Sequence, residues 1–220
     1  DSLTTGASNV AVGYGALTTD DVGQHNVAIG RDALSALNIA TAANTYNTAV
    51  GSNAGAALTT GVENVLIGGV TGDALTDADF NTAIGKQALS SDTKGNRTTA
   101  LGYFTLATQN FTTSTDTYNV GVGWASGQLI TTGINNVLVG ALVGDALTDA
   151  DYNVAVGHNA LSTDTLGSRN TALGYSALNA QNFTTATDSY NVAVGYNAGG
   201  NISTGGHNTL IGSLTGDALT

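Results

Sequence analysis

A five-residue phrase, clearest as Asn153-Val154-Ala155-Val156-Gly157, recurs twelve times along the 220-residue chain. Its copies begin at Asn9, Asn26, Asn47, Asn64, Asn81, Thr98, Asn119, Asn136, Asn153, Asn170, Asn191 and Asn208, and Thr98 alone departs from the opening Asn. Successive starts are 17 or 21 residues apart, and any four consecutive steps sum to 72, so a 72-residue super-repeat overlies the short one. Fixed-period self-similarity dictates architecture, because a unit too small to bury its own apolar face must stack on its neighbours.

Residue two of the phrase is Val or Thr and residue four is Val, Ile or Leu in every copy. Those side chains favour strands. In a strand, residues two and four share one face and residue three takes the other. Residue three is never polar: it is Ala or Gly except at Leu66, Leu138 and Leu210. A strand apolar on both faces is covered on both. The closing Gly suits a turn that needs positive φ. The opening Asn residues, one strand spacing of about 4.8 Å apart in stacked coils, suit a hydrogen-bonded ladder.

The expected fold is therefore all-β: a parallel β-solenoid of twelve coils of 17 or 21 residues, continuous over residues 1–220 as one domain. Its super-repeats are 1–72, 73–144 and 145–216, and a fourth begins at 217–220. The chain starts and stops in mid-coil without a polar capping coil, which suggests a window on a longer fibre. The four extra residues of each 21-residue coil should form a surface bulge.

Composition narrows the function. The net charge of −11, from 16 acids against 5 bases, argues against a nucleic-acid partner, which needs clustered Lys and Arg, and against an anionic membrane surface. There is no cysteine, hence no disulfide and no thiolate chemistry. The longest apolar run, Val137–Gly144, is far short of the ~20 residues of a membrane helix, so no membrane insertion is expected. No Ser–His–Asp or paired-carboxylate constellation stands out, and the chain is not expected to be an enzyme.

The unit Asn-[Val/Thr]-Ala-[Val/Ile/Leu]-Gly-x-x-Ala-Leu, present at Asn26–Leu34, Asn81–Leu89, Asn153–Leu161 and Asn170–Leu178, resembles the coil repeat of YadA-like trimeric autotransporter adhesin heads. It is even more similar to the 17-residue repeats in the shafts of phage tail fibres. The resemblance covers essentially the whole chain. It implies a left-handed β-roll, a homotrimer and a place outside the cell or on a virion surface. The coils here are longer than those of adhesin heads, and the regular 21-residue coil is a further departure.

Three functional classes follow. The first is a structural rod segment of a tail fibre or trimeric adhesin that spaces and presents a distal tip. The second is an attachment module whose roll surface binds a host glycan or matrix protein. The third is a self-assembling extracellular filament. Exposed aromatics favour the second, and near-identity of the super-repeats favours the first and third.

Candidate sites are few. The residue after each closing Gly should form one column at a turn, and Tyr14, Tyr103, Trp124, His158, Tyr175 and Tyr196 in that column are a candidate ligand-contact stripe, since exposed aromatics serve as contact anchors. The acidic runs Asp73, Asp77, Asp79 and Asp145, Asp149, Asp151 offer hard oxygen ligands for Ca²⁺, although their spacing fits no calcium loop and a solvated acidic edge is the plainer assignment. Otherwise no cofactor is implied. The histidines, His25, His158 and His207, stand in distant coils and cannot converge on zinc. The threonine pairs Thr59-Thr60, Thr131-Thr132 and Thr184-Thr185 lack the regular array of an ice-binding face. Finally, with residues two and four filling the roll, residue three should point outward. Ala11, Ala28, Ala49, Leu66, Ala83, Ala100, Leu138, Ala155, Ala172, Ala193 and Leu210 are then expected at the trimer interface, where small side chains let neighbouring chains approach.

Overall fold

The β-branched and aliphatic residues of the phrase do form strands. The computed structural model describes residues 6–219, and its strands and turns include no helix among them. The super-repeat copy Asp1-Ser2-Leu3-Thr4 and the terminal Thr220 lie outside the described residues. The chain divides into two compact units: one extends up to Phe104 and adds Asn110–Thr117, and the other comprises Thr105–Gln109 and the described chain from Tyr118 onward.

In the first unit, β1 (Val10–Val12), β2 (Val27–Ile29), β3 (Thr48–Val50), β4 (Val65–Ile67), β5 (Thr82–Ile84) and β7 (Thr99–Leu101) follow one another in a parallel sheet. Each phrase pairs with the next in register: Val10 lies opposite Val27, Val27 opposite Thr48 and Thr48 opposite Val65. Two shorter strands, β6 (Gly95–Asn96) and β8 (Thr115–Asp116), pair in parallel beside the long coil. The second unit repeats the plan. Its sheet holds β9 (Val120–Val122), β10 (Val137–Val139), β11 (Val154–Val156), β13 (Thr171–Leu173), β15 (Val192–Val194) and β16 (Thr209–Ile211), and its short pair is β12 (Gly167–Ser168) with β14 (Thr187–Asp188). Both units are parallel β-solenoids, in which every strand meets its own equivalent one coil away.

The two faces of the strands are the reverse of the sequence-based expectation. Ala28, Ala49, Leu66, Ala83, Ala100, Leu138, Ala155, Ala172 and Ala193 are wholly inaccessible within the single chain, and Leu210 nearly so. They line the core and are not available to a neighbouring chain. Ala11, on the edge strand β1, is exposed. Residues two and four face out: Val10, Val12, Ile29, Ile84, Val154, Val156 and Ile211 are all exposed. The reason lies across the roll. In the Ala-Leu pair that follows the phrase, Ala33, Leu34, Ala88, Leu89, Ala160, Leu161, Ala177 and Leu178 are fully buried. These Leu side chains fill a thin interior and leave room at residue three for a methyl group only.

The three leucines at residue three test that account. Leu66 stands where the opposing Leu has become glycine twice, at Gly55 and Gly72, and a Cβ on either would strike its methyl groups. Leu138 fits Gly127 and Gly144 in the same way, and Leu210 fits Gly199 and Gly216. Bulk has moved from one wall of the roll to the other while total volume is kept, as a close-packed interior requires. The converse exchange occurs at Gly121, where a Cβ would collide with Thr105, the residue that replaces the opposing Ala. These leucines are internal plugs, not intermolecular ones.

Buried asparagines tie coil to coil. The Asn153 backbone N–H donates to Asn136 Oδ1 at 3.0 Å, and the Asn170 N–H donates to Asn153 Oδ1 at 2.9 Å. The Asn153 Nδ2 group reaches on to the Gly167 carbonyl at 3.0 Å. The ladder thus runs side chain to backbone and satisfies amides that the turn would otherwise orphan. The closing glycines are dictated by close approach: Gly157 has φ 138°, and a Cβ there would run into the Gly174 carbonyl.

Turns also fall where no glycine marks them. Tyr46, Phe80, Tyr118, Tyr152 and Tyr190, each just before an Asn, have φ between 50° and 61°, and Leu34, Leu89, Leu106, Leu161 and Leu178 have φ between 49° and 54°. A left-handed conformation costs an ordinary residue roughly 1–2 kcal/mol. It persists because the stack binds the same backbone: the Leu161 N–H, for example, donates to the Ala177 carbonyl at 2.9 Å.

Candidate interaction face

The outward residues of the sheet make the most distinctive surface of each unit. Residues two and four form two aliphatic stripes, six coils tall in each unit, or about 29 Å at about 4.8 Å per coil. Most of these residues are half-buried, and the exposed ones run from 37% at Ile29 and Val154 to 57% at Val12 and 70% at Ile211, the last two on the end strands β1 and β16. Thr48, Thr82 and Thr99 interrupt the outer stripe of the first unit and Thr171 and Thr209 that of the second, so the surface is apolar with a scatter of hydroxyls. Contiguous apolar surface of this extent marks a contact.

A column of large side chains flanks the stripes on each side. On one side stand the residues after the closing Gly. Successive members are joined through backbone hydrogen bonds one residue on: the Asp32 N–H donates to the Tyr14 carbonyl at 2.8 Å and the Asn197 N–H to the Tyr175 carbonyl at 2.8 Å. Tyr14, Tyr103, Trp124, His158, Tyr175 and Tyr196 all stand exposed in this position, as the sequence suggests. Three of the six use their faces on one another. His158 stacks on Tyr175 with centroids 5.5 Å apart, and Tyr175 stacks on Tyr196 at 5.4 Å. Tyr103 meets the edge of Phe104 at 4.3 Å, and Lys86 Nζ lies 5.9 Å from the Tyr103 ring centre. Both faces of Tyr175 are occupied, so this ring presents its edge and hydroxyl to a ligand, not the flat face that a sugar ring packs against.

On the other side stand the left-handed residues before each Asn. Here the Arg169 guanidinium lies 4.5 Å from the Tyr152 ring centre and 5.9 Å from that of Tyr190, while its Nε donates to Asp188 at 2.9 Å. That hydrogen bond to the Asp188 carboxylate holds the guanidinium more firmly charged than usual. Tyr190 in turn stacks on His207 at 5.3 Å. In the first unit Arg97 covers Phe80 at 4.6 Å and pairs with Asp116 at 3.1 Å, and His25 stacks on Tyr46 at 5.0 Å. All three histidines are thus ring-stacking members of these columns. This second column was not singled out as a surface by the sequence, although the aromatic residue before the Asn signals it.

The acidic runs serve the coils themselves. Asp77 accepts from the Thr60 hydroxyl at 2.7 Å and Asp79 from the Val62 N–H at 2.8 Å. Asp149 accepts from Thr132 at 2.7 Å and Asp151 from the Ile134 N–H at 2.7 Å. Asp73 and Asp145 differ: one carboxylate oxygen of each is buried without a partner, and burial raises the pKa of both. Burial also raises that of Asp151. No three His, Asp or Glu side chains come together in a metal-holding group among the described residues. Threonines do form a column that sequence pairs did not disclose. Thr59, Thr76 and Thr93 stack coil on coil, but each hydroxyl donates to a carbonyl of the next coil, at 2.9, 3.0 and 2.7 Å.

Comparison of the chain with family models, with curated proteins and with solved structures finds no match to any of them.

Proposed function

We propose that the chain is a structural rod segment of a trimeric fibre, a phage tail fibre or a bacterial surface adhesin, standing outside the cell or on a virion and spacing a distal tip. The observation that carries this is the pair of outward, mainly aliphatic stripes that the phrase strands carry in both units. Surface of this kind needs a cover. The cover must offer complementary apolar side chains at the same interval of about 4.8 Å along the whole height, and a second copy of this chain does so by construction. The count of three, and the left-handed coil, are what the resemblance to tail-fibre shafts and adhesin heads implies. Where His158, Tyr175 and Tyr196 stack, few ring faces stay free for a sugar, which weighs against the glycan-binding alternative at those three residues.

The test is molar mass by light scattering, with circular dichroism as the control on folding. The unmutated chain should be a trimer. Val156→Glu places a charge in the covered stripe, where burial without a partner costs several kcal/mol, and should yield a folded monomer. A folded monomer from the unmutated chain, or an undisturbed trimer from Val156→Glu, would sink this assignment.

A further inference from the structure

We propose that Tyr175 and Tyr196 form a site of oxidative cross-linking, at which a peroxide-class oxidant joins the two phenols into a dityrosine that staples one coil to the next. The two residues leave equivalent positions of successive coils, two residues beyond the register pair Leu173 and Val194 of β13 and β15. Their rings are nearly parallel, 10° apart, with centroids 5.4 Å from each other. Their backbones are locked by the Asn197 N–H on the Tyr175 carbonyl at 2.8 Å. Each side chain is half exposed, so an oxidant reaches the outer ring edges where the hydroxyls and the carbons beside them lie.

The neighbouring tyrosines lack this geometry. Tyr152 and Tyr190 share the other column but have the Arg169 guanidinium lying over both rings. Tyr103 is engaged by Phe104 and Lys86. In the coupling, each phenol gives up one electron and its hydroxyl proton. The resulting radicals join through ring carbons ortho to oxygen, and the two ring hydrogens at the new bond shift to oxygen and restore both phenols. The pair loses two hydrogens in all, and hydrogen peroxide takes up those electrons and protons and leaves as water. A bond between residues this far apart in sequence removes conformations from the unfolded chain and so stabilises the folded coil. The site lies within one chain and does not depend on how copies assemble.

The full chain treated with a peroxidase and hydrogen peroxide should develop dityrosine fluorescence without any change in chain mass on a denaturing gel. Peptide mapping should find Tyr175 joined to Tyr196. Tyr175→Phe or Tyr196→Phe, each of which keeps a ring in the stack, should abolish the product, whereas Tyr14→Phe should leave it. The oxidised chain should melt at a higher temperature than the untreated one, and oxidised Tyr196→Phe should not. Absence of dityrosine in the folded chain, a link through other tyrosines, or links found only between chains would overturn the proposal.

Discussion

The same stretch of fold, taken once from each unit, differs in how a buried carboxylate is partnered. In the second unit Asp164 is fully buried and fully partnered: Oδ1 accepts from the Gly167 and Phe183 N–H groups at 3.1 and 2.9 Å, and Oδ2 from Gln181 Nε2 at 2.6 Å. Gln181 Oε1 then accepts from Asn191 Nδ2 at 2.7 Å, joining the carboxylate to the asparagine ladder. In the first unit the residues two super-repeats earlier are Asp20, Leu37 and Asn47, whereas Asp92, one super-repeat earlier, keeps the bonds from the Gly95 and Phe111 N–H groups at 3.1 and 3.0 Å. Asp20 is equally buried and its Oδ1 accepts from the Gly23 N–H at 2.9 Å, but Oδ2 has no partner. Leucine has replaced the glutamine that would answer it. The backbone plan survives the exchange, because it is held by many equivalent coil-to-coil bonds. The cost stays local, an orphaned buried acceptor.

The largest effect should come from importing the defect. Gln181→Leu leaves Asp164 Oδ2 as bare as that of Asp20, and leaving a buried charged acceptor unsatisfied costs about 2–3 kcal/mol. In a stacked repeat that loss is felt nearby first. Hydrogen exchange at the Gly167 and Phe183 amides should therefore speed up before distant coils respond. Unchanged protection there would mean that the glutamine contact is idle.

The repair should be worth somewhat less. Leu37→Gln gives Asp20 its missing donor within nearly the same volume, and a hydrogen bond to a charged group contributes about 1.5–3 kcal/mol, from which the lost burial of leucine must be subtracted. A net gain of about 1 kcal/mol should appear as slower exchange at the Gly23 amide. Smaller again should be the effect of Leu37→Gln in an Asp20→Asn background. With the carboxylate gone only the lost burial of leucine remains, and because that loss cancels in the double-mutant cycle, the cycle should return the hydrogen bond itself, a coupling of about 1.5–3 kcal/mol between the two sites. Simple additivity would show that they do not communicate.

Much of this architecture can be read in the sequence, and the failures have physical causes. The phrase and its spacing specify strands, coils and in-register parallel pairing, because strand-formers between Asn and Gly recur with little variation. The choice of faces does not follow from the phrase alone. Parity inverts every side chain at once, and what decides it is bulk outside the phrase, at Leu34, Leu89, Leu161 and Leu178 on the opposite wall. The exchange of Leu66 against Gly55 and Gly72 was visible as a covariation between positions, but it has meaning only once those positions are known to face each other. The left-handed turns at Tyr152 and Leu161 carry no residue signature, since neither type prefers that conformation. The column Tyr14 to Tyr196 was legible. That His158, Tyr175 and Tyr196 stack within it follows from a coil spacing of about 4.8 Å, which falls within the centroid separations that aromatic pairs prefer.

The finest test uses a pair of sites at which the two units agree. Asp73 and Asp145 are equivalent, and each keeps one buried carboxylate oxygen without a partner, so the contrast drawn at Asp20 and Asp164 should vanish here. Burial raises both pKa values above the ordinary 3.8, the bond to each residue's own backbone opposing in part. A carboxyl whose folded pKa is raised binds its proton more tightly folded than unfolded. Its contribution to stability is fully present below the unfolded value and is lost as pH rises through the folded one. Both residues should therefore weaken the fold at neutral pH relative to mild acid. Asp73→Asn and Asp145→Asn remove the titrating charge while keeping the shape. Each should raise the melting temperature slightly at pH 7, by equal amounts, and the gain should disappear when melting is repeated below the unfolded pKa. A gain that persists unchanged in acid would point to the amide itself, not to relief of a buried charge. Unequal gains would show that the surroundings of Asp73 and Asp145 are not as equivalent as their sequence.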